Sequence, residues 1–369
     1  MQQRNKPQTL KEGLYMILKL NGAFNMKAAI LLQGQNYNST ASTLTKLRKR
    51  MAIERYKGIN YFPNVYAIEQ LWNRCVAEEL RDNCVANENR ENCKLNLKSV
   101  GGRSRLAEQA EIMAIMIRCD ISLYNQWEYG YKNFYVASRK IKSYVEDKLN
   151  EEKTYAIKRA KVKGTYRRSK EVMFNLYSTK DLRIKWDKIS ENMYTECIKD
   201  MSQNETGVLP EVKAIVFVQS INKFENIVQS RNQKKKKGKK EEEVITNIRL
   251  YDEILVLERS EAGIEIMNFL KNENLKQTLN EYLYKDGGSG NNFCDNIEKR
   301  EKETVVSLNF LYPDIVKLRK FFLYRMYKSD ENEKFEIHCY DEYKKGIEEV
   351  TNGQIEIITH SSDEIKKLV

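Results

Sequence analysis

Short apolar runs alternate with helical segments from about residue 134 to the C-terminus, and this alternation constrains the fold more than any other feature. The candidate strands are residues 172–178, 214–220, 253–259, 304–310, 334–340 and 354–359. The helical candidates are residues 187–200, 221–230, 262–284, 312–327 and 341–350. Continuous apolar strands that alternate with helices are typical of a largely parallel sheet covered by helices. We therefore expect a multi-domain α/β protein whose α/β domain spans residues 134–369.

The N-terminus has a different pattern, which predicts three short helices and a hairpin. Residues 8–20 carry an apolar stripe and end at Asn21-Gly22, and a second helix follows from about Asn25. The third helix is STASTLTKLRKRM, with Ser39 or Thr40 as its N-cap and with Leu44, Leu47 and Met51 facing inward. The segment AIERYKGINYF then predicts a β-hairpin around Lys57-Gly58, which Pro63 ends. This order indicates a winged helix-turn-helix over residues 1–68.

Positive charge is concentrated in the same N-terminal segment. Residues 1–58 contain eleven Lys and Arg residues against only Glu12 and Glu54, a net charge of +9 out of +12 for the whole chain. A compact basic head on a nearly balanced body is the electrostatic pattern of a nucleic-acid-binding module. A solvated basic surface, or a three-helix bundle that contacts proteins, is the alternative.

The third helix has the composition of a recognition helix. Its first turns carry small hydroxyl side chains, which allow close approach to base edges and phosphates. Its last turn and the hairpin carry basic side chains that can neutralise phosphates. The predicted DNA-binding residues are Ser39, Thr40, Ser42, Thr43, Lys46, Arg48, Lys49, Arg50, Arg55 and Lys57.

A helical linker is predicted between head and body, over residues 69–133. Residues 65–82 form an amphipathic pattern, and a second helix begins near Ser104 in RLAEQAEIMAIMIR. Leu71 and Trp72 on the first of these helices either pack within the chain or form the interface of a homodimer.

Several function classes find little support in the composition. The seven cysteines form no CxxC pair, and the chain has only two histidines, His338 and His360, so we expect no metal site, no cofactor and free thiols in a reducing cytoplasm. No run approaches 18 apolar residues and no signal-peptide core is present, so we expect no membrane partner.

Two polar segments interrupt the predicted α/β domain. The run KKKKGKKEEE at residues 234–243 predicts a solvated surface loop, with a nucleic-acid contact as the alternative. The Gly-, Ser- and Asn-rich segment 285–296 also predicts a loop. Neither segment has a GxGxxG or GK[ST] phosphate-binding pattern.

Taken in order, these features resemble the replication-relaxation family, winged-helix proteins of plasmids and integrative elements of low-GC Gram-positive bacteria. The similar segments are LYMILKLNGAFNMKAAILL, STLTKLRKRMAIERYKG, RLAEQAEIMAIMIRCDI, KGTYRRSKEVMFNLYSTKDLRIKW, EILVLERSEAGIEIMNFL and FEIHCYDEYKKGI. The family's usual aromatic-Leu-Thr-x-x-Gly close of the winged domain is replaced here by YFPNVYAIEQL.

The resemblance implies an accessory protein that binds double-stranded DNA during plasmid replication, relaxation or conjugative transfer. It also implies relaxase or replication proteins of the same mobile element as partners. It supplies no established catalytic apparatus, and we expect a protein that is not an enzyme.

Two other functions remain open. A metal-dependent nuclease needs an Asp near one strand and a Glu-x-Lys on the next, and the nearest residues are Asp252, Glu253 and Glu258 with Asp341, Glu342 and Lys344. Glu258 and Asp341 fall at predicted strand C-termini, where α/β sheets place ligand sites. A ligand-sensing winged-helix repressor, with the α/β domain as its sensor, is the other alternative.

Overall fold

The computed structural model describes residues 10–34, 36–51, 53–61, 97–124, 133–146, 151–179, 183–184, 187–221, 243–244, 250–284, 287–300, 303–328, 330–351 and 353–369. Three predictions lie wholly or largely outside these residues. They are the helix at 65–82, the helix at 221–230 and the lysine-rich loop at 234–243.

The N-terminal part consists of three helices and three short strands. The elements are α1 (Leu10–Asn21), β1 (Ala23–Asn25), α2 (Met26–Gln33), α3 (Tyr37–Met51), β2 (Glu54–Tyr56) and β3 (Ile59–Tyr61). Helix α1 ends where predicted, because Gly22 adopts a φ of 81° that glycine tolerates readily. Asn25 caps α2 by accepting a hydrogen bond from the Ala28 N–H at 2.9 Å.

The strands form an antiparallel sheet in the order β1-β3-β2. The hairpin of β2 and β3 turns at Lys57 and Gly58, as the sequence predicted, and both residues have positive φ angles of 44° and 87°. Positive φ at both central residues is the requirement of a type I′ turn, whose twist matches that of the two strands.

Helix α4 (Val100–Arg118) joins this N-terminal part to the body. It contacts α1, α2 and β1 on one side and β4 (Ser122–Tyr124) at its C-terminal end. Every residue from Ala110 to Ile117 is buried. A helical segment that is buried on every side belongs to a core, so this half of α4 is part of the core, whereas Val100, Ser104 and Arg105 in its first turns are exposed.

The first sheet of the body has six strands. After β4 come β5 (Phe134–Ala137), α5 (Ser138–Glu146), α6 (Glu151–Arg159), β6 (Gly164–Arg167), β7 (Val172–Thr179), β8 (Arg183–Ile184), α7 (Lys188–Thr206), β9 (Glu211–Val218), β10 (Glu243–Val244) and β11 (Ile254–Glu258). The strand order is β11-β9-β7-β6-β5-β4. Strands β7, β9 and β11 are parallel, β6 is antiparallel to both of its neighbours, and β4 is parallel to β5. Strands β8 and β10 form a separate antiparallel pair.

The second sheet of the body has four strands. Its elements follow α8 (Glu261–Phe269) and α9 (Leu275–Leu283), and they are β12 (Asn296–Arg300), β13 (Glu303–Asn309), α10 (Ile315–Lys328), β14 (Glu333–Tyr340), α11 (Asp341–Thr351), β15 (Glu356–His360) and α12 (Ser362–Lys366). The strand order is β12-β13-β14-β15, with β13, β14 and β15 parallel and β12 antiparallel to β13.

The fold is therefore mixed helix and sheet with parallel strands, as expected for an α/β protein, but four details differ from the prediction. The body has two sheets rather than one, and both contain antiparallel pairs. Strands β4, β5, β6 and β12 were not predicted. Strand β4 pairs with β5, so the α/β part begins before residue 134. The single helix predicted at 262–284 is two helices, because the polar segment KNEN interrupts it.

One continuous apolar core connects all these parts. It includes Leu14 of α1, Met113 of α4, Phe174 of β7 and Leu308 of β13. The two parts of the body are also hydrogen-bonded to each other, since the Val256 N–H on β11 donates at 3.0 Å to the carbonyl of Pro313, which lies between β13 and α10. The N-terminal part is thus packed against the body rather than attached to it by a free linker.

A buried ion pair lies at this junction. Glu111 of α4 and Arg259, which follows β11, are 2.8 Å apart, and only 6% and 7% of their side chains are exposed. The other Glu111 oxygen accepts from Asn25 Nδ2 at 2.6 Å, and Arg259 donates to the Thr179 carbonyl at 3.3 Å. These four residues connect the start of α2, the middle of α4 and the C-terminal ends of β7 and β11.

Replacing only one member of this pair is expected to destabilise the fold strongly. Glu111→Ala leaves the Arg259 guanidinium buried without its counter-charge, which costs about 3 kcal/mol of unfolding free energy. The double variant Glu111→Leu with Arg259→Met removes both charges and is expected to recover most of that loss. Urea denaturation of the two variants and the wild-type protein measures the difference. A single variant as stable as the wild type would contradict the prediction.

A second buried polar network lies between β7 and α7. The Thr165 hydroxyl donates to Asn175 Oδ1 at 3.0 Å, and Asn175 Nδ2 donates to the Tyr251 hydroxyl at 2.8 Å. The Tyr177 hydroxyl lies 2.7 Å from that of Tyr251 and donates to the Glu191 carboxylate at 3.0 Å. All five side chains are buried, so the network replaces the hydrogen bonds that water would otherwise supply.

Glu191 is the ionisable member of this network. Burial raises the pKa of its carboxyl group from 4.5 to about 7, even though the Lys161 backbone N–H and the Tyr177 hydroxyl donate hydrogen bonds to it. Burial also lowers the pKa of the nearby Lys142 to about 8, against the attraction of Glu191. The folded state therefore favours a protonated Glu191 below neutral pH.

The raised pKa predicts that Glu191 lowers stability as the pH rises. Between pH 4.5 and about 7 the folded protein keeps a proton that the unfolded chain releases, so this group costs about 3 kcal/mol by pH 8. In Glu191→Gln the side chain is neutral at every pH. We expect the variant to gain stability relative to the wild type as the pH rises from 4.5 to 8, as measured by urea denaturation. Parallel stability profiles for the two proteins would be inconsistent with the raised pKa.

Candidate nucleic-acid interface

The outer face of α3 presents hydroxyl groups followed by lysines. Ser39, Ser42, Lys46 and Lys49 are exposed and follow one another at intervals of three or four residues, so they lie on one stripe of the helix. Leu44 on the opposite side is buried and Leu47 packs against the core, which fixes the orientation of this face. The prediction that Leu44 and Leu47 face inward is confirmed.

The N-terminus of α3 differs from the prediction. The helix begins at Tyr37 rather than after Ser39 or Thr40, and Asn36 Oδ1 accepts a hydrogen bond from the Ser39 N–H at 3.0 Å. Thr40 is 0% exposed and its hydroxyl donates to the Asn36 carbonyl at 3.0 Å. An Asn cap three residues before Ser39 therefore turns Thr40 into the core, away from any ligand on the outer face.

The remaining predicted site residues fall into three groups. Thr43 and Arg48 on α3 are half-buried, and Arg50 belongs to α3 although its side chain lies outside the described part. Arg55 on β2 and Lys57 in the turn are exposed. Because only two residues separate α3 from β2, the basic end of the helix and the hairpin lie on the same end of the N-terminal part.

The hairpin is anchored on α4. A small apolar cluster joins Ala23 of β1, Ile59 of β3 and Leu106 of α4. Across the hairpin, the Tyr61 hydroxyl donates to the Glu54 carboxylate at 2.7 Å, and this bond raises the pKa of Tyr61. The hairpin is thus held at a defined angle to the helices.

Two residues that the sequence did not single out, Tyr56 and Arg103, extend the basic surface. Tyr56 of β2 is 37% exposed, and its ring centroid lies 5.6 Å from Lys57 Nζ and 6.0 Å from Arg103 Cζ. Arg103 of α4 also donates to the carbonyls of Leu97 and Lys98, which fixes its guanidinium beside the hairpin. In the sequence, the basic stretch KSVGGRSR at residues 98–105 was the signal that could have indicated Arg103. Its proximity to the hairpin follows only from the packing of α4.

The carboxylates considered for a nuclease do not form such a centre. Glu258 ends β11 and Asp341 begins α11, so both lie at strand C-termini as predicted. Glu253 is buried between Lys213 and the Tyr312 hydroxyl, and Lys344 pairs with Glu348 on the same helix. Within the described residues, no group of three or more His, Cys, Asp or Glu side chains is arranged to hold a metal ion.

Two further observations concern the described residues only. Cys119, Cys197, Cys294 and Cys339 are free thiols. None of the helices described here has the length and apolar character needed to cross a lipid bilayer.

No protein-family model, curated protein or solved structure matches this chain. The function must therefore be argued from the residues and their arrangement.

Proposed function

We propose that residues 10–61 form a winged helix-turn-helix that binds double-stranded DNA, with α3 as the recognition helix and the β2–β3 hairpin as the wing. The observation that carries this proposal is the exposed stripe of hydroxyl groups and lysines on α3. The element order α1-β1-α2-α3-β2-β3 and the sheet order β1-β3-β2 support it.

Each part of this surface has a distinct role in the proposed complex. Ser39 and Ser42 are small enough for the helix to enter the major groove and hydrogen-bond to base edges or phosphates. Lys46 and Lys49 neutralise phosphates further along the helix. Arg55 and Lys57 on the hairpin reach the flanking backbone. Sequence discrimination thus comes from the first turns of α3 and most of the affinity from its basic end.

Removing the two exposed lysines of α3 is expected to weaken DNA binding and its dependence on salt. In the double variant Lys46→Ala and Lys49→Ala two phosphate contacts are lost, so the slope of log affinity against log salt concentration falls by about 2. Fluorescence anisotropy with a labelled duplex at several salt concentrations measures both quantities.

Lys366→Ala with Lys367→Ala is the matched control. It removes the same charge from exposed positions at the C-terminal end of the chain, at the end of α12, and is expected to leave affinity and slope close to those of the wild type. An equal loss in both double variants would mean that net charge alone drives binding, and the proposed interface would be wrong.

Tyr56 provides a test of the hairpin. Its ring orients Lys57 and Arg103, and an exposed cation–π contact contributes about 0.5–1 kcal/mol. Tyr56→Ala is therefore expected to weaken duplex binding about two- to fivefold. Tyr56→Phe keeps the ring and is expected to bind like the wild type, as measured by the same anisotropy titration. If Tyr56→Ala also binds like the wild type, the hairpin does not contribute as proposed.

We further propose that the protein acts on its own mobile element in the cytoplasm, as an accessory protein of replication, relaxation or conjugative transfer. The resemblance to the replication-relaxation family supports this role, together with the basic N-terminal part. Relaxase or replication proteins of that element are the proposed partners, and a homodimer reading two half-sites is the proposed assembly. Footprinting on the DNA around the gene tests the proposal. Protection at an origin supports it, and protection confined to the promoter favours autoregulation instead.

A ligand-sensing repressor is the second candidate, and the buried ion pair of Glu111 and Arg259 favours it. This pair connects the start of α2 to the C-terminal ends of β7 and β11, where open α/β sheets bind ligands. Lys27 lies in the same region, and burial lowers its pKa against the attraction of Glu111. A small molecule that raises the melting temperature and releases DNA would support this candidate.

The proposal includes no catalytic step. Strands β6 and β7 are the two middle strands of the six-stranded sheet, and their sequences, GTYR and VMFNLYST, contain no Asp or Glu. Incubation with supercoiled plasmid and Mg²⁺ or Mn²⁺ tests this part. Nicking that disappears in Glu258→Ala or Asp341→Ala would establish a nuclease and overturn it.

A further inference from the structure

The only two histidines of the chain lie side by side in the second sheet of the body. His338 is on β14 and His360 ends β15, and the Nδ1 atom of His338 is 3.1 Å from the Nε2 atom of His360. The two strands are parallel and Tyr340 is opposite His360, so the histidines are diagonal neighbours on one face of the sheet. Twenty-one residues, including a whole helix, separate them in sequence.

Two tyrosine rings flank this pair. The Tyr284 ring packs edge-on against His338 with centroids 5.8 Å apart, and the Tyr282 ring packs in the same way against His360 at 5.9 Å. Both histidines are half-buried. The pair therefore sits in a partly closed position at the edge of the sheet.

The contact between the two rings is a hydrogen bond in which one imidazole donates its N–H to the ring nitrogen of the other. A neutral imidazole has one N–H and one nitrogen lone pair that can bind a metal, and the proton can sit on either nitrogen. When the donor ring carries its proton on the outer nitrogen instead, both facing nitrogens have a lone pair, and a metal ion takes the place of the shared proton.

We propose that Nδ1 of His338 and Nε2 of His360 together bind one divalent transition-metal ion of the zinc, nickel and copper class. Two imidazole nitrogens on a tetrahedral ion, each about 2.0–2.1 Å from the metal, lie about 3.3 Å apart. The observed separation of 3.1 Å needs only a small rotation of the rings. Imidazole is the ligand that this class of ions prefers, and it does not suit Mg²⁺ or Ca²⁺.

Water completes the coordination of the proposed ion. Among the described residues no third His, Cys, Asp or Glu joins the two histidines in a metal-binding group. Glu364 is engaged in capping α12, since its carboxylate accepts from the Ser361 N–H at 3.0 Å. The site is thus an exchangeable one that holds the edge strand β15 to β14, and it binds more weakly than a structural site with four protein ligands.

Calorimetric titration of the full-length protein, prepared without a histidine tag, with NiCl₂ tests the proposal. We expect one ion per chain, and we expect His338→Gln and His360→Gln each to weaken binding at least tenfold. Cys197→Ser is the matched control, because Cys197 is the least buried of the four described thiols and is expected to be irrelevant to binding. Nickel is also expected to raise the melting temperature of the wild type but not of either histidine variant.

A measurement on the wild-type protein alone keeps the test independent of the folding of the variants. The electron paramagnetic resonance spectrum of the protein with one equivalent of Cu²⁺ is expected to show coupling to two imidazole nitrogens. A spectrum without nitrogen coupling overturns the proposal. So does the absence of saturable nickel binding, or nickel binding that persists unchanged in His360→Gln.

Discussion

The ion pair of Glu111 and Arg259 is the interaction on which the arrangement of this chain depends. Two opposite charges are buried where the N-terminal part, α4 and the six-stranded sheet meet, and each is stable there only because of the other. Asn25 extends the pair to the first turn of α2, and the Thr179 carbonyl extends it to the end of β7. The pair therefore joins the ends of the body strands to the N-terminal part through hydrogen bonds, in addition to the apolar core that these parts share.

The sequence predicted those elements whose own pattern was strong. All six apolar runs in the body are strands, and the head contains the three helices and the hairpin in the expected order. The missed strands are short or polar, such as GTYR and NIEKR, and they become strands only because a neighbour supplies their hydrogen bonds. The helical periodicity of the sequence continues across residues 262–284, through both IEIMNFL and LKQTL. The sequence alone therefore predicted one helix where the structure has two. Tertiary packing, which a single sequence does not display, decides such cases.

In the candidate interface, too, local pattern predicted some residues and tertiary packing decided others. The exposed stripe of α3 follows from helical spacing once Leu44 is assigned to the core, so Ser42, Lys46 and Lys49 were predictable. The burial of Thr40 was not, because it depends on whether Asn36 or Ser39 caps the helix, and both are good caps. Arg103 lay outside the predicted site because it is more than forty residues from the hairpin in sequence and reaches Tyr56 only through α4.

The histidine pair shows the limit of arguments from spacing most clearly. Two histidines in 369 residues were reason to expect no metal site, because ligand motifs are normally recognised by short intervals in sequence. A strand–helix–strand connection removes that constraint, since it returns the chain to the neighbouring position in a parallel sheet after about twenty residues. Residues at the ends of adjacent strands are then brought together whatever their spacing. A count of ligands along the chain therefore says little about a parallel sheet, whereas the pairing of its strands says directly which side chains can share an ion.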